Sequence, residues 1–158
     1  MLRELQVIIG KPAVSSYKAG EETITTGMAV VKNETDKTFE FASAETAADL
    51  YFVDKERIPT GINAARENMS DYDADFTTLV EGDFGKLINY LPGERFATDA
   101  YVETGIVAGV RLSANTAGKI VKAATTVASK YVCGGFYTDN GHKLVIVEVS
   151  DTVGKNAS

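Results

Sequence analysis

Cys133 and His142 are the only cysteine and the only histidine in this chain of 158 residues. A thiol beside an imidazole is the usual arrangement of a cysteine nucleophile. Cys133, however, lies inside a predicted strand, whereas His142 lies in the turn of a predicted hairpin, which keeps the two side chains apart. We therefore interpret Cys133 as a core thiol and His142 as a surface side chain. One cysteine also excludes an internal disulfide, and one histidine excludes a multi-histidine metal site.

Three aspartates, Asp71, Asp73 and Asp75, begin like a calcium-binding loop. An EF-hand loop needs glycine at its sixth position and glutamate at its twelfth, where this chain has Phe76 and Gly82. A solvated acidic loop is therefore the favoured interpretation, and weak Ca²⁺ binding by the three aspartates is the alternative. No pair among the 22 acidic side chains stands out as the acid and base of a hydrolase. The chain is accordingly interpreted as a non-enzyme without metal or cofactor, and a hydrolase is the least favoured alternative.

The charge balance argues against nucleic acid as a partner. Sixteen basic and 22 acidic side chains give a net charge of −6, and the basic residues form no cluster that would neutralise phosphates. No apolar run approaches the length of about 18 residues that crosses a bilayer. Residues 1–10 lack the apolar core and the cleavage site of a signal peptide. The sequence therefore predicts a soluble protein made in a cytosol, with no membrane partner.

Short runs rich in valine, isoleucine, threonine and aromatic residues alternate with glycine, asparagine and aspartate over most of the chain. This alternation is typical of strands joined by tight turns. The clearest hairpin joins residues 131–138 to residues 143–149, because Asn140 and Gly141 tolerate the positive φ of a two-residue type I′ turn. The register of such a turn pairs Asp139 with His142 and Tyr137 with Leu144.

Further strands and turns are predicted along the rest of the chain. Strands are predicted over residues 27–32, 37–41, 50–53, 86–91, 106–113 and 119–123, with turns at residues 33–36, 92–93 and 115–118. Gly134 and Gly135 are interpreted as a bulge or a close approach of two backbones. Two windows favour a helix by composition or spacing, residues 42–49 and residues 62–69. Residues 54–75 are expected to form a long surface excursion.

These elements predict an all-β or mainly β fold, a compact barrel or sandwich with short helical insertions. Residues 20–150 are expected to form one β-barrel-like body, because no linker, repeat or low-complexity segment divides the chain. Residues 1–19 are expected to be either an N-terminal arm or the first strand of the fold. Residues 151–158 are small and polar and are expected to be a flexible tail.

Several segments of the sequence share a common pattern of turns and strands. At residues 20–30 a turn bounded by glycines leads into a strand. The pattern continues through residues 51–55, 80–83 and 92–101, the positions Gly105, Gly109 and Leu112, residues 118–119 and the final hairpin. Taken together, these segments cover residues 20–149 and resemble the small head-decoration, or cement, proteins of tailed bacteriophages.

The resemblance implies a non-enzymatic virion structural protein that binds the outside of a phage capsid shell and stabilises it. Its partner would be the major capsid protein, and the chain would form a homo-oligomer, for example a trimer. It would be made in the host cytoplasm and located on the capsid surface of the virion. An N-terminal arm in such a protein would add a strand to an edge of the shell. The candidate contact residues in this arm are Leu2, Leu5, Val7 and Ile9.

Two alternatives stay open at this point. The first keeps the virion but makes the protein a part of the tail tube, the connector or a head fibre. The second is a small β carbohydrate-binding module, in which exposed tyrosine rings would stack on sugars. The candidate stacking residues are Tyr72, Tyr90 and Tyr101.

Overall fold

A computed structural model of the chain describes residues 1–8, 16–20, 23–55 and 74–157. The described residues form thirteen strands and one helix of four residues. In chain order the elements are β1 (Leu2–Gln6), β2 (Lys18–Ala19), β3 (Ile24–Thr25), β4 (Ala29–Asn33), β5 (Thr38–Glu40), β6 (Tyr51–Asp54), α1 (Ala74–Thr77), β7 (Thr78–Leu79), β8 (Lys86–Ile88), β9 (Arg95–Thr98), β10 (Arg111–Ala114), β11 (Ile120–Lys122), β12 (Ser129–Asp139) and β13 (His142–Gly154).

The described strands form three sheets. A six-stranded antiparallel sheet has the order β1-β9-β13-β12-β10-β11 and curls into half a barrel. A five-stranded sheet has the order β2-β5-β4-β6-β8, and β3 pairs with β7 in a small third sheet. The sheets stack in a sandwich-like arrangement, which confirms the predicted mainly β fold.

An aromatic cluster joins the two larger sheets. The ring centroids of Phe52 on β6 and Phe96 on β9 lie 4.4 Å apart, and Phe52 meets Tyr131 of β12 edge to face at 5.7 Å. Tyr90 stacks on Phe96 at 4.1 Å, and all four side chains are fully buried. Burial of a side chain of this size stabilises a fold by about 1.5–3 kcal/mol. The cluster therefore contributes a large share of the energy that holds the sheets together.

The hairpin of β12 and β13 has the predicted turn and register. Asn140 and Gly141 have φ values of +47° and +82°, as a type I′ turn requires. The register shifts between Cys133 and Gly135, so the bulge predicted at Gly134 is confirmed as well. The predicted residue pairs are also observed, Asp139 with His142 and Tyr137 with Leu144.

The other predicted strands differ in how well they match. Strands β4, β5, β6, β8 and β11 lie within or overlap the predicted segments. The strand expected over residues 106–113 begins only at Arg111. Gly105 and Gly109 have φ values of +74° and +88°, so the chain turns before this strand instead of continuing through it.

The window of residues 42–49 is not helical, contrary to the prediction from its alanine and glutamate content. Thr46 exchanges two backbone hydrogen bonds with Ala114 of β10, at 3.0 and 2.7 Å. The Ser113 hydroxyl donates a hydrogen bond of 2.5 Å to the Glu45 carboxylate. These contacts with a distant strand outweigh a weak local preference for helix.

Both ends of the described chain contact the six-stranded sheet. Residues 2–6 form a strand of the main sheet and not an arm, because β1 pairs antiparallel with β9. The tail predicted over residues 151–158 differs from the structure, since β13 continues to Gly154. Beyond it, Asn156 exchanges hydrogen bonds with the backbone of Arg111 at 2.7 and 3.0 Å.

The second helical window, residues 62–69, and most of the excursion predicted over residues 54–75 lie outside the described residues. Within the described ranges, no helix has the length and the apolar composition that crossing a membrane requires.

Candidate partner-binding surface

A β-bulge interrupts β1 and changes which of its side chains face the core. Glu4 pairs with Phe96 and Gln6 pairs with Arg95, so Leu5 is an extra residue between two paired positions. Leu2, ahead of the bulge, is half-buried against the main core. Leu5 itself is the bulged residue of this edge strand, and its side chain is exposed.

A buried carboxylate fixes the chain that follows β1. The side chain of Glu94, in the turn between β8 and β9, is fully buried. Its Oε2 accepts a hydrogen bond of 2.6 Å from the Leu91 amide, and its Oε1 accepts one of 3.2 Å from the Ile8 amide. A buried carboxylate is costly unless such donors satisfy it. Glu94 therefore holds Ile8 and Leu91 close together, although they are far apart in sequence.

Four large apolar side chains are exposed along this part of the surface, and we call them the N-terminal ridge. Their exposed fractions are 41% for Leu5, 38% for Val7, 58% for Ile8 and 46% for Leu91. The Ile8 side chain lies over Gly93, because a Cβ atom at Gly93 would be 2.8 Å from its Cδ1 atom. A group of exposed apolar side chains of this kind is typical of a surface that binds another protein.

The ridge includes two of the four contact residues predicted from the sequence. Leu5 and Val7 are exposed on it, whereas Leu2 packs against the core and is therefore not part of the ridge. Ile9 lies outside the described residues. Sequence reasoning missed Ile8 and Leu91, because it assumed an unbroken alternation and had no signal for the contact made by Glu94.

A cavity of about 270 Å³ adjoins the ridge on the face of the six-stranded sheet. Arg95 of β9 and Glu148 of β13 form an ion pair of 2.8 Å across its floor, and both side chains are partly exposed. The cavity offers a partner both apolar wall and charged groups. Its lining residues are Gly93, Glu94, Arg95, Val132, Glu148, Val149 and Ser150.

A second cavity, of about 680 Å³, lies between β4 and residues 42–49 and is lined in part by Lys32, Glu34 and Tyr51. The Lys32 ammonium lies 4.2 Å from the centre of the Tyr51 ring. The Tyr17 hydroxyl donates a hydrogen bond of 2.5 Å to Glu34, which also forms an ion pair with Lys37. These bonds lower the pKa of Glu34, the one from the Tyr17 hydroxyl most. Lys32 and Glu34 thus already have partners within the chain.

The structure keeps the two reactive residues apart, as predicted. Cys133 is buried on β12 and pairs with Val147, and burial is the main cause that raises the pKa of its thiol. His142 lies at the tip of the hairpin, opposite Asp139. A protonated, buried thiol is a poor nucleophile, so this cysteine has the properties of a packing residue.

No group of three or more histidine, cysteine, aspartate or glutamate side chains is arranged to hold a metal ion in the part of the chain that the structure describes. The side chains of Asp71, Asp73 and Asp75 lie outside that part. Weak calcium binding by these three aspartates therefore stays a prediction.

Two of the tyrosines proposed for sugar stacking, Tyr90 and Tyr101, lie in the described part of the chain. Tyr90 was expected to be exposed, but it is fully buried and stacks on Phe96, so that prediction is wrong. Tyr101 is half-buried with its ring centroid 5.9 Å from that of Phe136. Tyr72 lies outside the described residues.

No protein-family model, curated protein or solved structure matches this chain.

Proposed function

We propose that this protein is a non-enzymatic structural protein of a bacteriophage virion, which binds the outside of the capsid shell and stabilises it. The observation that supports this proposal best is the N-terminal ridge, formed by Leu5, Val7, Ile8 and Leu91. Its side chains are exposed to between 38% and 58%, and Glu94 fixes two of them from beneath. Apolar side chains held exposed in this way gain stability when a partner covers them.

The physical role of such a surface is to link neighbouring subunits of a shell. Each contact contributes little, but repeated contacts by an oligomer act with a high effective concentration. The partner in this proposal is the major capsid protein, and the binding form is a homo-oligomer such as a trimer. The net charge of −6 keeps the free subunits soluble and disfavours binding to DNA.

Binding to shells that lack this protein tests the proposal. We expect the purified protein to sediment with such shells and to raise the temperature at which they open. Ile8→Asp places a charge on the ridge and should weaken sedimentation with the shells by about tenfold or more, since charged residues are depleted in interface cores. Val107→Asp is the matched control, because Val107 is exposed to 59% and Ile8 to 58%.

Two outcomes would contradict the proposal. Wild-type protein that fails to sediment with the shells removes the shell as its partner. Shells that open at the same temperature with and without the bound protein remove the stabilising role. Immunogold labelling of whole virions shows whether the protein lies on the shell or at one of the alternative locations, which are the tail tube, the connector and a head fibre.

A further inference from the structure

The two terminal strands of the six-stranded sheet differ in how their outer edges are covered. At β11, Ile120 donates a backbone hydrogen bond to Ala100 and accepts one from Val102, both at 2.8 Å. At the opposite side of the sheet, no strand in the described part of the chain pairs with the outer edge of β1. A terminal strand presents unpaired backbone donors and acceptors to any extended segment that approaches it.

The register shows which backbone groups of β1 point outward. Val149 of β13 donates a hydrogen bond to the Glu94 carbonyl at 2.9 Å. In an antiparallel ladder, hydrogen-bonded and non-hydrogen-bonded pairs alternate, so Phe96 and Thr98 also bond to β13 and not to β1. Their partners on β1, Glu4 and Leu2, therefore turn their amide and carbonyl groups away from β9.

The charge on this edge comes from Glu4. The neighbouring Arg3 forms an ion pair with Asp139 at 2.8 Å, so its charge is already compensated. Glu4 is exposed, and its carboxylate lies beside the Tyr90 hydroxyl, whose pKa is raised by burial and further by this negative charge. Among the described residues Glu4 forms no ion pair with a lysine or arginine. A segment with lysine or arginine opposite Glu4 would complement this edge, since opposite charges in cross-strand pairs are stabilising.

A second copy of the chain fits the edge poorly. Two β1 strands related by a two-fold axis would pair antiparallel, and their opposed residues would then share one face of the joined sheet. The register that places Glu4 opposite Glu4 brings two carboxylates together that have no ion-pair partner among the described residues. Like charges directly opposite one another destabilise a strand pair, so at this position the edge favours a segment with a cation.

From these observations we infer that the outer edge of β1 binds an extended, basic segment of the partner protein as an additional strand of the sheet. The backbone groups of Leu2 and Glu4 bond to this segment, the Glu4 carboxylate faces its cationic side chain, and the adjacent N-terminal ridge covers its apolar side chains. The inference deepens the proposed function and rests on it only for the identity of the partner, which is the capsid subunit.

A synthetic peptide tests the inference without a shell. The probe has nine residues, alternates threonine and valine on both sides of one central lysine, and has blocked ends. Titrated into the isotope-labelled full-length protein, it should shift the amide signals of Leu2 and Glu4 and slow their hydrogen exchange. The amides of Ile120 and Val121 on β11 should not change. A peptide with glutamate in place of the lysine should bind more weakly by about tenfold.

Two variants separate the backbone contribution from the charge. Glu4→Pro removes an outward-pointing amide, and proline is tolerated on an edge strand, so the variant should fold but bind the peptide at least about tenfold more weakly. Glu4→Gln keeps the amide and loses the charge, so it should weaken binding less. If Glu4→Pro does not fold, the amide shifts of the wild type and the response to the glutamate peptide decide the question.

The outcomes are distinct from those of the proposed function. Peptide-induced shifts outside β1, or equal peptide binding by wild type and Glu4→Pro, would overturn the inference. So would a dimer in sedimentation that Glu4→Pro abolishes, because a second copy would then occupy the edge. Peptide binding at β1 without shell binding contradicts only the proposed function. Shell binding that Glu4→Pro leaves unchanged contradicts only the inference.

Discussion

The Nε atom of Arg3 lies 2.8 Å from the Asp139 carboxylate, although 136 residues separate them in sequence. Arg3 belongs to the first strand, and Asp139 lies at the tip of the β12–β13 hairpin, so the six-stranded sheet curls until these two parts meet. On the same face as Arg3, the side chains of Met1, Ala97 and Leu144 form a small buried cluster. The ion pair thus closes the curl beside this cluster.

Removing this ion pair should lower the free energy of unfolding by a small but measurable amount. A double-mutant cycle with Arg3→Gln and Asp139→Asn should give a coupling free energy of about 0.5–1 kcal/mol, because the pair is only partly buried. Urea unfolding at low and high salt measures this energy, which should decrease as salt screens the charges. The Glu34–Lys37 pair is the control, since its side chains are exposed to 65% and 62% and should couple less. Equal coupling in the two pairs would contradict the expectation.

Two glycines with nearly the same backbone conformation should respond differently to alanine. Gly27 and Gly82 have φ values of +90° and +88°, so either substitution should destabilise the fold by about 1–2 kcal/mol through the backbone alone. A Cβ atom at Gly27 would also lie 2.6 Å from the Met1 carbonyl oxygen and against the Thr98 hydroxyl, whereas Gly82 has open space around it. Gly27→Ala should therefore lower the free energy of unfolding by about 1–3 kcal/mol more than Gly82→Ala does. Thermal or urea unfolding measures this difference. Similar costs for the two variants would show that the Gly27 site relaxes.

Glu94 should matter both for stability and for the ridge. In the wild type each oxygen of the Glu94 carboxylate accepts one amide hydrogen bond, from Ile8 or from Leu91. Glu94→Gln replaces one of these oxygens with an NH₂ group, which donates hydrogen bonds and cannot accept one. We expect a loss of about 1–3 kcal/mol in the free energy of unfolding, because a buried donor is left unsatisfied. Shell binding should also weaken below the unfolding temperature, since Ile8 loses its fixed position. Unchanged binding by a folded Glu94→Gln protein would show that the ridge does not depend on this residue.

The Tyr17–Glu34 pair predicts a pH dependence. The hydrogen bond from Tyr17 lowers the pKa of Glu34 in the folded chain, so the pair stabilises the fold above the unfolded pKa. This stabilisation is lost as the pH falls from about 4.3, the usual glutamate value, through the lower folded value. Tyr17→Phe should raise the Glu34 pKa, as measured by carbon-detected NMR titration. Tyr137→Phe removes an exposed hydroxyl and should leave the Glu34 titration unchanged.

Local sequence was sufficient where one short segment determines the conformation. Asn140 and Gly141 specify the hairpin turn by their tolerance of positive φ, and the register of β12 and β13 follows from that turn. The bulge at Gly134 was predictable from the pair of glycines, since the neighbouring Gly135 takes a φ of +103°. By contrast, the strand predicted over residues 106–113 begins only at Arg111, because Gly105 just before it and Gly109 within it take positive φ values and turn the chain.

The candidate site depends on contacts that no local pattern contains. The bulge at Leu5 exists only relative to β9, since it is defined by the pairing of Glu4 and Gln6 with a strand about ninety residues away. The contact of Glu94 with the Ile8 amide spans 86 residues. The alternation of Leu5, Val7 and Ile9 therefore indicated an apolar surface in this segment, but it gave no information on Leu2, which packs against the core.

The pairing of β1 with β9 also has a consequence for the time course of folding. During synthesis Leu2 emerges long before its partner Thr98, and β9 in turn needs β13 on its other side. Pairings between such distant segments must first overcome the entropy of closing a long loop, so they form slowly. We therefore expect β1, although it is made before β9 and β13, to be among the last strands to become ordered, with refolding in milliseconds to seconds, as is usual for β proteins of high contact order.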